Sequence, residues 1–159
     1  MSKTKFDFGI MFKSVILLVI MIFPLSYVHE FGHAIVCSSE GFDFKIIVDA
    51  MGGQMFCYGD VSNDVLIRIM GGVLAMIVCF LPLVKWSWCK KHPYIIISCV
   101  VLGIGHGVNA LIETLASEIY LSEHVILTNF MGFFVFVIFL IFMKKFGSKN
   151  RLSSGAYNG

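Results

Sequence analysis

Apolar residues occur in this chain as long unbroken runs, with little of the one-sided or alternating pattern of a soluble helix or strand. Four runs, residues 10–37, 65–84, 93–118 and 125–143, approach or exceed the roughly 20 helical residues needed to cross a hydrocarbon core about 30 Å thick. A helix satisfies all its backbone groups internally at that depth, so each run is read as a transmembrane helix. Pro24 lies inside the first and predicts a kink just ahead of residues 29–33. Gly103, Gly105 and Gly107 give the third a flat surface for close helix packing.

Residues 41–60 break the pattern. They are richer in polar residues and carry the β-like run 44–48 followed by Gly52-Gly53, which predicts a strand or hairpin between the first two helices. The expected fold is an all-α integral membrane protein, a bundle of four transmembrane helices with one short hairpin. Residues 1–146 form one membrane-embedded domain, with a flexible tail over 147–159 that is basic and then rich in Ser, Gly and Asn. No internal repeat or second domain is evident. A secretory signal peptide is a poor reading of the basic, then apolar start, because the first run far exceeds a 7–15-residue signal core and no small-x-small cleavage site follows Met21.

Composition agrees: 58% of residues are hydrophobic and 14% charged, with a mean hydropathy of +0.88, which excludes an ordinary soluble domain. The net charge of +2 arises from lysines at segment ends and forms no stripe for nucleic acid. Lys3, Lys5, Lys13, Lys85, Lys90, Lys91, Lys144, Lys145, Lys149 and Arg151 fall on one side of the predicted bundle, leaving Lys45 and Arg68 near the other. The positive-inside rule then makes both termini cytoplasmic and places residues 29–33 in the outer half of the membrane. The five cysteines form no C-x-x-C pair and no disulfide framework is expected, although Cys37 and Cys57 can lie on one side and pair.

The chemistry is concentrated in His29-Glu30-Phe31-Gly32-His33, at the end of the first run. Positions i and i+4 share a helix face, so His29 and His33 can offer nitrogens to one metal while Glu30 stands beside a bound water. In H-E-x-x-H hydrolases zinc lowers the pKa of that water to roughly 7 and the glutamate takes its proton. With this His and Glu content, the pattern arises by chance about 0.005 times in a chain of 159 residues. Ionisable groups at membrane depth cost about 2.5–3.5 kcal/mol each on insertion scales, which further favours function over accident.

A catalytic zinc takes three protein ligands and keeps one position open. The third helix supplies a polar stripe, His106, Asn109 and Glu113, spaced i, i+3, i+7 on one face. Depth separates them. At 1.5 Å per residue, His29 and His33 lie roughly 12 and 6 Å from the outer end of their helix, Glu113 about 8 Å and His106 about 18 Å. Glu113 is therefore the preferred third ligand, followed by His106 and then by Glu118, Glu123 or His124. His106 reads equally as a core histidine bonded to a backbone carbonyl, and Asn109 as a hydrogen-bonding partner that orients a ligand or a substrate carbonyl.

These residues resemble the site-2-protease family of intramembrane zinc metalloproteases. The resemblance centres on His29-Glu30-Phe31-Gly32-His33-Ala34, extends more weakly to Gly52-Gly53 and Gly71-Gly72-Val73-Leu74-Ala75, and covers roughly residues 10–120. It implies a zinc endopeptidase that cuts a membrane-protein substrate, with His29 and His33 as ligands, Glu30 as general base, and the 41–60 segment pairing with unwound substrate. The chain departs from the family in lacking the Asn/Pro-rich stretch ending Asp-Gly that supplies the usual third ligand, and in placing its motif outward. Two further functions use the same residues: a metal-binding membrane scaffold, which has no need of Glu30 as a base, and a transport protein in which His29, Glu30, His33, His106 and Glu113 relay protons or metal ions.

Overall fold

Asp7 caps the first helix, its carboxylate accepting from the backbone N–H groups of Gly9 and Ile10 at 2.9 and 3.2 Å. A computed structural model describes residues 7–49, 52–115 and 124–149. Helix α1 (Phe8–Ser39) continues through Pro24 as one helix of 32 residues, about 48 Å at 1.5 Å per residue. It ends where Gly41, with φ +86°, takes the left-handed conformation that glycine adopts without a Cβ clash, its N–H closing on the Ser38 carbonyl. Strands β1 (Phe44–Asp49) and β2 (Gly52–Cys57) then form the antiparallel hairpin expected from the sequence, in the register Phe44 opposite Cys57 to Asp49 opposite Gly52.

Helix α2 (Asp64–Phe80), capped by Asn63, is prolonged by a 3₁₀ segment (Leu81–Lys85) and a short α3 (Trp86–Cys89). Helix α4 (Pro93–Leu115) returns, and α5 (His124–Lys149) follows. Among the described residues three helical stretches, α1, Asp64–Cys89 and α4, are long and apolar enough to cross a membrane. Their outer surfaces agree with that setting: Phe12, Val19, Ile20, Ile22, Phe23 and Tyr27 of α1 are all exposed, a continuous apolar face that a water-soluble protein would bury. The last helix runs beyond the predicted end at 143, through Lys149. Residues 116–118 of the third predicted span and 150–159 of the predicted tail lie outside the described residues.

Small residues set the spacing of the bundle. Gly103 and Gly107 face Phe80 and Met76 on α2, while Gly105 faces Val135 on α5, so the three glycines serve two different contacts. Gly72 of α2 lies against the His106 carbonyl and Ala110 of α4. Gly32 of α1 is the tightest point: a Cβ there would strike the Met70 carbonyl and come within 2.8 Å of the Gly71 Cα. Both obstacles are backbone and cannot rotate away. Gly32→Ala is therefore expected to lower stability by about 1–3 kcal/mol, read as a lower thermal midpoint in detergent, because the α1–α2 crossing must open.

The two ends of the bundle differ in chemistry. At one end Ile10, Ile97, Val101, Phe139 and Met143 form a buried cluster joining α1, α4 and α5, Ser98 donates to the Ser14 carbonyl at 3.2 Å, and Lys13 lies 5.9 Å from the Tyr94 ring centre. Lys85, Lys90, Lys91, Lys144 and Lys145 are exposed near this end. The opposite end carries the hairpin and the exposed Asp43, Asp49, Asp60 and Asp64. There Glu40 accepts from the Ser62 N–H and hydroxyl at 2.7 and 2.8 Å, bonds that hold its carboxyl below the usual range and tie the connection into α2 back onto α1.

Candidate metal centre

One helical turn separates His29 from His33, and their rings meet edge to face with the Nε2 atoms 3.1 Å apart. Glu113 approaches from α4, its Oε1 3.3 Å from His29 Nε2 and its Oε2 3.8 Å from His33 Nε2. The three side chains are at most 14% exposed. Ligands around a tetrahedral zinc with bonds of about 2.0–2.1 Å sit about 3.3–3.4 Å from one another. The two imidazole nitrogens lie close to that edge length, while Glu113 reaches them through different oxygens, Oε1 toward His29 and Oε2 toward His33. His29, Glu30 and His33 alone form a group able to hold a metal ion, with ligand atoms all within 4.8 Å of one another.

The hydrogen bonds around the triangle favour the same use. His33 Nδ1 meets the Ile67 carbonyl on α2; a carbonyl only accepts, so Nδ1 carries the proton and a neutral ring keeps its Nε2 lone pair for the centre. Asn109 Nδ2 donates to Glu113 Oε1 at 2.7 Å one turn away on α4, fixing the carboxylate. Glu113 Oε2, buried in the same space, has no hydrogen-bond partner among the described residues. His29 Nδ1 is likewise buried without a partner, and His29 Nε2 meets His33 Nε2 at 3.1 Å, so the unbalanced element of the cluster is the buried carboxylate oxygen, which is costly there unless a cation or a proton meets it.

Glu30 lies on the hairpin side of this centre. The Met55 N–H of β2 donates to its carboxylate, and Gly53 packs so closely over it that a Cβ there would come within 2.6 Å of Glu30 Cγ. Gly71 on α2 gives the His33 imidazole its space in the same way, its missing Cβ pointing at the ring. His106 stands farther along α4, its ring centre 5.7 Å from that of His29, as a packing neighbour of that ring. Glu118, Glu123 and the side chain of His124, which the sequence also offers as third ligands, lie outside the described residues.

The structure thus brings together His29, Glu30, His33, Asn109 and Glu113, all expected from sequence, adds the Ile67 carbonyl and the Met55 N–H, and shows which side chains Gly53 and Gly71 accommodate. The Ile67 carbonyl carries no side-chain signal in any sequence. Gly53 and Gly71 belong to conspicuous Gly-Gly pairs, but which side chain each accommodates becomes visible only once the elements are packed. No protein-family model, curated protein or solved structure matches the chain.

Proposed function

We propose that this chain is a four-helix intramembrane zinc endopeptidase of the site-2-protease type, in which α5 is the fourth span. His29, His33 and Glu113 hold the metal, and Glu30 is the general base. The observation that carries the reading is the convergence of His29, His33 and Glu113 from two apolar helices, with the Glu30 carboxylate beside them under a strand edge. A scaffold needs the ligands but has no use for that fourth group. Gathering of the lysines at the end remote from the hairpin supports cytoplasmic termini and a site in the outer half of the membrane.

Zinc, when bound, polarises the scissile carbonyl and lowers the pKa of its water to about 7. Glu30 accepts the proton as the water oxygen bonds to the carbonyl carbon, then delivers it to the departing amide nitrogen as the C–N bond breaks. The Met55 N–H holds the carboxylate in place for both transfers. Asn109 keeps Glu113 aimed at the centre throughout. The substrate is a membrane protein or peptide whose helix has been locally unwound, because a helical peptide bond is shielded by its own hydrogen bonds.

The direct test reconstitutes the protein in liposomes with a quenched-fluorescent library of membrane-spanning peptides. Hydrolysis is expected to disappear when a chelator strips the metal and to return with stoichiometric zinc but not with magnesium, whose preference for six oxygen ligands does not match two imidazoles and a carboxylate. Hydrolysis that survives chelation, or wild-type protein that binds no zinc, would overturn the proposal. Ion flux without hydrolysis would favour a relay.

A further inference from the structure

Cys37 and Cys57 are joined as a disulfide with Cα atoms 5.9 Å apart, and the two faces that they join are those that build the site. On α1, His29, His33 and Cys37 recur at i, i+4 and i+8, one stripe of the helix. On β2, Gly53, Met55 and Cys57 recur at every second residue, the half-buried face of the strand, and the first two of these touch Glu30. The bond therefore fastens the ligand stripe of the helix to the strand face that holds the base. A two-stranded hairpin is marginally stable by itself, so its seating depends on such anchors. At its root the backbone adds the Phe42 N–H to the Cys37 carbonyl at 3.3 Å and the Tyr58 N–H to the Asp43 carbonyl at 2.9 Å, neither of which reaches from β2 to α1.

From this juxtaposition we infer that the Cys37–Cys57 disulfide is a redox latch that seats β2 on Glu30, so that the site is complete only on the oxidising face of the membrane and acts on peptide segments presented there. The inference rests on the metallohydrolase reading above and adds to it the regulation of the site and the side from which substrate arrives. A second observation, independent of the bond, agrees. Among the described cysteines the three free thiols, Cys79, Cys89 and Cys99, belong to the half of the bundle with the exposed lysines, Cys89 donating to the Pro82 carbonyl and Cys99 adjoining the Ser98–Ser14 contact. Thiols at the lysine-rich end and a disulfide at the acidic end match a reducing cytosol on one side and an oxidising compartment on the other.

Closing the latch is thiol–disulfide exchange. The Cys37 and Cys57 thiols give up two electrons and two protons to a disulfide donor, protein or small molecule, which leaves as its dithiol, while the Sγ–Sγ bond forms; a dithiol reductant reverses it. The metal ligands all lie on helices, so opening the latch frees the strand without removing a ligand.

The test uses the full-length protein in lipid nanodiscs, oxidised, reduced with a non-thiol phosphine, and reoxidised. Mass-resolved alkylation is expected to find Cys37 and Cys57 blocked in the oxidised protein. On reduction, amide hydrogen exchange over Gly52–Cys57 is expected to accelerate and peptide-library hydrolysis to fall at least tenfold, zinc content to stay constant, and reoxidation to restore both readouts. Cys37→Ser/Cys57→Ser should behave as the permanently reduced form, and Cys79→Ser/Cys89→Ser/Cys99→Ser as wild type under both conditions. Free Cys37 and Cys57 thiols in protein assembled in an oxidising membrane, or unchanged exchange and hydrolysis on reduction, would overturn the latch while leaving the zinc reading intact. Absence of zinc and hydrolysis in the oxidised protein would overturn the zinc reading, and alkylation and exchange would still decide whether the disulfide seats the strand.

Discussion

Glu30→Gln is expected to keep one zinc per chain and to lose hydrolysis by about 10²–10⁴-fold, the contribution of a positioned general base. The substitution is nearly isosteric, and this matters because the space is tight: Gly53 packs against Glu30 Cγ and Cδ, and any larger side chain would lift the strand. A glutamine oxygen can still accept the Met55 N–H, so the hairpin has no reason to move. What disappears is the ability to take a proton from water. Zinc content by elemental analysis, measured beside hydrolysis of the peptide library, separates the roles. Loss of zinc would make Glu30 a ligand, and full activity would place the base elsewhere. A scaffold or an ion relay predicts no such split, since neither depends on a hydrolytic step.

How far the chain announces this centre depends on the kind of signal. His29, Glu30 and His33 were legible because helix geometry alone puts i and i+4 on one face, and because charge within an apolar run is costly unless it is used. Glu113 is legible through depth: helices that cross the same slab bring residues of equal depth together, and His29 Nε2 lies 3.3 Å from its carboxylate. The same reasoning put His106 deeper, and its ring lies beside His29 instead of closing the triangle. The hairpin was legible from its β-branched run and Gly-Gly pair, whereas its docking on Glu30 was not, since alternation along a strand gives the face but not the partner. Cys37 and Cys57 illustrate the remaining gap. Their spacing permitted a bond, but only the register of β2, with Cys57 opposite Phe44 at the root of the hairpin, brings the second thiol to the end of α1.

Glu113→Ala is the second substitution with a large expected effect, and it tests the proposed ligand that sequence alone marks least directly. Structural zinc sites bind with about 10–16 kcal/mol from four ligands, so removing one of them costs roughly 2.5–4 kcal/mol, a loss of about 10²–10³ in affinity. Competition against a fluorescent zinc chelator reads this directly. Asn109→Ala removes only the hydrogen bond that aims Glu113, and is expected to weaken binding about 10–100-fold. The double variant discriminates between a ligand and a bystander. If Asn109 acts through Glu113, removing it from a chain that already lacks the carboxylate changes nothing further, and the two losses fail to add. Additive losses would mean that Asn109 reaches the metal or the fold by another route. Zinc kept in Glu113→Ala but lost in His106→Ala would move the third ligand about two turns deeper along α4, to the ring that now packs against His29.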